Sequence, residues 1–256
     1  MGASNRFLAF LFYFNSFLIF ASGPLDGSRQ ILLSLSDDWD TTRTSLSFFE
    51  RATEESEWIQ IENSFEGNLG KKGLAWGLGR HDSFLEIAMN EPQKMEGDLK
   101  APAGVFDIPE AFGYRNDPQN FLPFFTNYHS VDENSHCVDD SRSQFYNMNI
   151  YDIRDVIVDW ISDEVLRRQD SLYKYVFVVD HNNFSSRFFS PAISQRGSCI
   201  FIHLWSALGA PTSGCTSMSE ENMVKLMRWV RSSENPRLVQ LTKSTYQRYR
   251  QQWKLP

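Results

Sequence analysis

Residues 199–218 read CIFIHLWSALGAPTSGCTSM, and the fold turns on how this stretch is parsed. Its start, Cys199-Ile200-Phe201-Ile202-His203, is a short apolar run that predicts a buried strand with a histidine at its end. Gly214 and Cys215 follow after a polar turn. A cysteine acts as a nucleophile through its thiolate, and an imidazole on a rigid neighbouring strand can take the proton. Glycine before the cysteine permits a sharp turn that brings backbone N–H groups toward a reacting carbonyl, where an oxyanion would need them. Histidine precedes cysteine, the reverse of the papain order. Ser219 can cap a helix whose first turn carries Glu220 and Glu221 and whose apolar face carries Met223, Leu226, Met227 and Val230.

Working outward, short apolar or alternating runs predict strands at residues 30–36, 45–51, 57–62, 104–108, 144–150 and 175–180. The chain is therefore read as mainly β with a few helices. Residues 152–168 stay ambiguous, alternating like a strand over 155–160 and reading as a short helix over 162–168. The polar stretch 116–143 is expected to be a long loop across one side of the sheet.

Three segments in order carry a resemblance: Gly97-Asp98-Leu99-Lys100-Ala101-Pro102-Ala103-Gly104-Val105-Phe106-Asp107-Ile108, then residues 175–182, then 203–215. Together they resemble the catalytic domain of the L,D-transpeptidase (YkuD-type) family. Its core pattern is a histidine, a variable stretch, then Ser/Thr-His-Gly-Cys, a hydrophobic residue and Asn or Arg. Thr212, Gly214 and Cys215 match, Ser213 replaces the second histidine, and Ser217 replaces the Asn or Arg. The resemblance implies a β-sandwich with a catalytic loop followed by a helix, and no cofactor. It implies that Cys215, activated by His203, attacks a peptidoglycan stem tetrapeptide, releases terminal D-alanine and leaves a thioester that an amine resolves. A main-chain carbonyl at about Leu204 or Trp205 would fix the imidazole tautomer. Gly214 and Cys215 N–H groups would hold the oxyanion, with Ser213 assisting, and Thr212 would contact substrate. Carbapenems would acylate Cys215.

With Ser217 in place of a cation or amide, the substrate carboxylate needs another partner, and Lys100 and Arg196 are the cations nearest the motifs. His181, at the end of another predicted strand, is a further substrate contact. Water in place of the amine would make the protein an L,D-carboxypeptidase. A thiol amidohydrolase with a different substrate, or a non-catalytic envelope-binding module, remain the other readings.

Residues 1–23 read as an export signal: Arg6 is the sole charge before an apolar run over 7–21, with an uncleaved anchor as the alternative. The body, 24–256, is expected to be one exported domain of the periplasm or cell envelope, monomeric and without a stable membrane span. The chain carries a formal charge of −7, and so acidic a protein argues against nucleic acid as a partner. Among the three cysteines, pairing of Cys137 with Cys199 would leave Cys215 free; three reduced thiols is the other possibility. His129, His136, Asp139 and Asp140 match no structural zinc spacing, so no metal is assigned. Trp76 and Trp205 are read as packing residues, and Gly77-Leu78-Gly79 lacks the helix and acidic partner of a nucleotide loop.

Overall fold

Successive strand residues leave opposite faces of a sheet, so the burial of Ile31, Leu32 and Leu33 together means that their strand has protein on both sides. The computed structural model describes residues 23–81, 90–183 and 192–256, so the export signal lies outside the described residues save for its last position. The strands are β1 (Gln30–Ser36), β2 (Arg43–Glu50), β3 (Ile59–Gln60), β4 (Phe65–Asn68), β5 (Leu74–Trp76), β6 (Ala101–Asp107), β7 (Ala111–Gly113) and β8 (Tyr128–Ser130). They continue with β9 (His136–Val138), β10 (Asn149–Ile150), β11 (Asp163–Val165), β12 (Tyr175–Val178), β13 (Phe201–Leu204), β14 (Thr216–Met218) and β15 (Arg237–Thr242). The helices are α1 (Glu220–Trp229) and α2 (Lys243–Tyr249). The fold is mainly β, as expected.

Twelve strands form one mixed sheet in the order β5-β6-β15-β1-β2-β4-β14-β13-β12-β7-β8, with β3 paired to β2. β6 is second from one end and β7 second from the other, yet residues 108–110 alone connect them. The sheet must therefore curl until its ends approach, and the Asp180 N–H donates to the Asp107 carbonyl (3.0 Å) across the join. One curled sheet thereby supplies both layers that enclose the core. The enclosed core takes Leu32, Phe48 and Phe106 from one half, Phe177 and Ile202 from the other, and Met223, Leu226 and Met227 from α1.

The cap of α1 is as expected, with the Asn222 N–H donating to Ser219 Oγ (3.2 Å). α2, unforeseen in the sequence, is capped by Thr242 and buries Tyr246 and Tyr249 with Trp76 and Trp253 against the outer face of β1 and β15. Gly104, in the recognised run, has φ +141°, and a Cβ there would lie 2.0 Å from the His81 ring, so only glycine lets that ring pack.

A small sheet, β10-β9-β11, covers the outer face of β12, β13 and their neighbours. Residues 155–160 form no strand, and 162–168 hold β11 rather than a helix, because β11 pairs with β9, which with β8 lies inside the stretch expected to be a long loop. Cys137 of β9 and Cys199 are joined by a disulfide (Cα–Cα 5.9 Å), which settles the open pairing and leaves Cys215 as the free cysteine. Asn147 reinforces the seam: its side chain accepts from the Cys199 N–H and donates to the His181 and Asn182 carbonyls, each at 2.9 Å.

Candidate active site

β13 and β14 run parallel with His203 opposite Ser217. Cys215 precedes β14 by one residue, so Cys215 and Ser217 point to the same face as Phe201 and His203. That face opens on a cavity of about 370 Å³ lined by His203, Gly214, Cys215, Ser217, Tyr173 and Glu164 among others.

His203 is 7% exposed, and its Nδ1 lies 2.7 Å from the Leu204 carbonyl. A carbonyl can only accept, so Nδ1 carries the proton and Nε2 keeps its lone pair. This is the tautomer lock expected just after His203. Burial lowers the imidazole pKa to about 4, with the Leu204 hydrogen bond opposing the shift, so the ring is neutral at pH 7.

Cys215 is 8% exposed; its Sγ accepts from the Phe201 N–H (3.3 Å) and donates toward the Cys199 carbonyl (3.6 Å). Among the described residues no hydrogen bond joins it to His203. Burial and then the Glu164 carboxylate push the thiol up to about 12. The resting pair is thus a neutral thiol and a neutral imidazole in one cavity lining.

Thr212 and Gly214 behave differently from expectation. Thr212 Oγ1 accepts from the Gly214 N–H (3.1 Å) and donates to the Cys215 carbonyl (2.6 Å), bracing the loop from within. The Gly214 amide is consequently occupied, and of the three donors expected there Cys215 N–H and the exposed Ser213 hydroxyl remain. A Cβ on Gly214 would come within 3.2 Å of the Lys100 carbonyl, so the glycine allows the segment 97–104 to press against the loop.

His181, Lys100 and Arg196 do not line the cavity. His181 Nδ1 accepts from the Leu78 N–H (3.1 Å) and Nε2 donates to the Arg196 carbonyl (2.9 Å), so both nitrogens are taken. Its pKa is lowered to about 3, first by burial and then by Lys94. The Lys100 ammonium binds the Lys72 carbonyl and Asp40 instead, and Arg196 Nε donates to the Lys94 carbonyl (3.0 Å). Cations that do face the cavity are Lys71, Lys94 and Arg168. Trp205, expected to pack, is half-buried in the cavity wall, whereas Trp76 is fully buried. His129 stacks on Tyr151 (3.7 Å), and His136 pairs with Asp163 (2.9 Å).

Sequence reasoning missed Tyr173 and Glu164. The Tyr173 ring packs edge-on to His203 at 5.2 Å, and its hydroxyl donates to Glu164 Oε1 (2.6 Å). Arg168 spans the Glu164 and Asp170 carboxylates (3.5 and 3.0 Å). Burial raises the Glu164 pKa despite the Tyr173 hydrogen bond, and Asp139 adds to the shift. The available signal was a glutamate amid the apolar residues of Val165-Leu166, close to the Trp160-Ile161 pair.

No protein-family pattern matches the chain, and no curated protein matches it. Among the described residues no helix is long and apolar enough to cross a membrane.

Proposed function

We propose that the protein is an exported cysteine acyltransferase acting as an L,D-transpeptidase on peptidoglycan stem peptides. The observation that carries this reading is His203 held with Nε2 free by the Leu204 carbonyl, on the same face and in the same cavity as the free thiol of Cys215.

In the proposed reaction the thiol turns from the Cys199 carbonyl toward His203 as substrate enters. Apo contacts between a nucleophile and its base are often loose and tighten with substrate. Sγ bonds to the carbonyl carbon before the terminal D-alanine while its proton passes to Nε2. Cys215 N–H and Ser213 stabilise the oxyanion. The C–N bond then breaks, Nε2 returns the proton to the departing amine, and a thioester remains. An amine attacks the thioester, loses a proton to Nε2, and the C–S bond breaks to restore the thiol. A neutral resting pair suits this cycle, because the base is unprotonated at pH 7 and the thiol loses its proton only as the new bond forms.

Mass spectrometry of muropeptides incubated with the purified protein tests the proposal. Loss of D-alanine with appearance of cross-linked dimers supports transfer; loss of D-alanine without dimers would make water the acceptor. Unaltered muropeptides with correctly folded protein would overturn it.

A further inference from the structure

We propose that Tyr173 is a positioning residue for His203, holding the plane of the imidazole so that Nε2 stays turned into the cavity that Cys215 lines. The inference rests on the reading of His203 as the base.

One hydrogen bond fixes a point of a ring and leaves its plane free to turn, because the torsion about a side chain's last sp³–sp² bond is broad. His203 Nδ1 has one such bond, to the Leu204 carbonyl (2.7 Å). The Tyr173 ring supplies the missing constraint, its centroid 5.2 Å from that of the imidazole and the two planes inclined by 66°. An edge-on pair resists rotation through van der Waals contact and through the preferred alignment of ring edge and face. The same segment acts on the imidazole from a second direction. The Leu204 N–H donates to the Leu172 carbonyl (3.1 Å), so the residue whose carbonyl accepts from Nδ1 is itself held by the neighbour of Tyr173.

Tyr173 is anchored beyond what packing requires. It is 4% exposed, with Phe112 and Phe201 edge-on at 6.0 and 5.6 Å. A phenylalanine would fill that space, yet the hydroxyl is present and donates to Glu164 Oε1 (2.6 Å). Drawing a carboxylate out of water costs free energy, so packing alone would favour an apolar residue at 164. Arg168 completes the anchor: it bridges Glu164 (3.5 Å) and Asp170 (3.0 Å), and its guanidinium carbon lies 5.2 Å from the Tyr173 ring centroid. Glu164 pairs with Cys137 in β9, and the disulfide from Cys137 to Cys199 joins that strand to the segment leading into β13. The phenol is thereby tied to the same frame as the base. None of the proposed chemical steps uses Tyr173, Glu164 or Arg168, and their chain of contacts ends at the imidazole.

The test reads the His203 tautomer by two-bond ¹H–¹⁵N correlation at pH 7, with signals assigned by comparison with His203→Ala, beside kcat and KM on a stem tetrapeptide. Wild type should show a ring protonated at Nδ1 alone. Tyr173→Leu should average the two tautomers and lower kcat by about 10²-fold while KM stays within about twofold, as expected when a base is misplaced. Tyr173→Phe keeps the ring and should keep the tautomer, lowering kcat by no more than about tenfold. Glu164→Gln and Glu164→Leu both remove the charge, but only glutamine keeps an acceptor for the phenol. The kcat of the first should therefore exceed that of the second by the factor that separates wild type from Tyr173→Phe. A wild-type tautomer and kcat in Tyr173→Leu overturns the positioning role. So does a raised KM with unchanged kcat, which would make Tyr173 a substrate contact. Should Tyr173→Leu fail to fold, the ratio between the two Glu164 variants decides. Folded wild type that turns over no tetrapeptide overturns the transpeptidase reading, and the tautomer measurement then decides the role of Tyr173 alone.

Discussion

The ends of two neighbouring antiparallel strands, β12 and β13, each carry a buried histidine, and the surroundings of the two rings differ at one atom. Past β12, His181 accepts from Leu78 on one nitrogen and donates to Arg196 on the other. On β13, His203 donates from Nδ1 to Leu204 and offers Nε2 to the cavity. Both rings are desolvated, and both are held neutral at pH 7. What separates a packing histidine from the base proposed here is thus how many of its nitrogens the backbone consumes. The first supports the join between residues 78 and 196; the second has capacity left for a proton in flight.

Exchanging the two histidines' fates is the strongest way to break this contrast. His203→Ala should lower turnover by about 10²–10⁴-fold with little change in melting temperature, as expected for loss of a general base. His181→Ala should do the reverse, leaving a buried N–H and carbonyl unpaired at a cost on the order of 3 kcal/mol in denaturant unfolding. Equal effects of the two substitutions on both measurements would erase the distinction.

The seam that presents Cys215 differs from the rest of the sheet in being stapled. Cys137→Ala with Cys199→Ala should lower unfolding free energy by about 4 kcal/mol, given the 62-residue separation of the bridge. Activity should fall with it, because the bridge anchors residue 199, whose main-chain carbonyl receives the thiol.

Two titrations sharpen the picture. Both imidazoles have folded pKa values below the ordinary 6.5, so the unfolded chain binds more protons as pH falls. Their neutral burial is fully compatible with folding above about pH 6.5, and below that each should remove about 1.4 kcal/mol per pH unit, down to about pH 4 for His203. His181→Ala should flatten one part of that acid slope. For the thiol, with its pKa pushed up to about 12, the rate of alkylation by iodoacetamide should still be rising past pH 9; a plateau near 8.5 would mean that burial does not govern Cys215.

The smallest expected effect concerns the loop. Thr212→Val removes a hydroxyl that braces Gly214 and Cys215, and should cost about 1 kcal/mol in stability while raising KM less than it lowers kcat.

How far the sequence could be read depends on whether a residue's role is local. The bounds of β1 and the Ser219 cap depend on neighbours within a few positions, and their signals were visible; the carbonyl that fixes the His203 tautomer was expected only from the family resemblance. The roles of Lys100, Arg196 and His181 depend on what the fold places opposite them, and the residues beside the motifs proved to bind backbone elsewhere. Glu164 and Tyr173 escaped for the same reason: their contact across nine positions exists only because β11 pairs with β9 and the 166–174 segment returns to β13, where the Leu204 N–H donates to the Leu172 carbonyl (3.1 Å). The curl of the sheet was hidden too, since alternation reveals a strand's faces and not its neighbours.

Peptide-level mass spectrometry of the protein quenched during incubation with a stem tetrapeptide bears most directly on the central claim. The account predicts an acyl adduct on Cys215 with the mass of the tetrapeptide less D-alanine, accumulating in wild type and absent from Cys215→Ala. An unmodified Cys215 beside intact tetrapeptide, or D-alanine release that persists in Cys215→Ala, would contradict it.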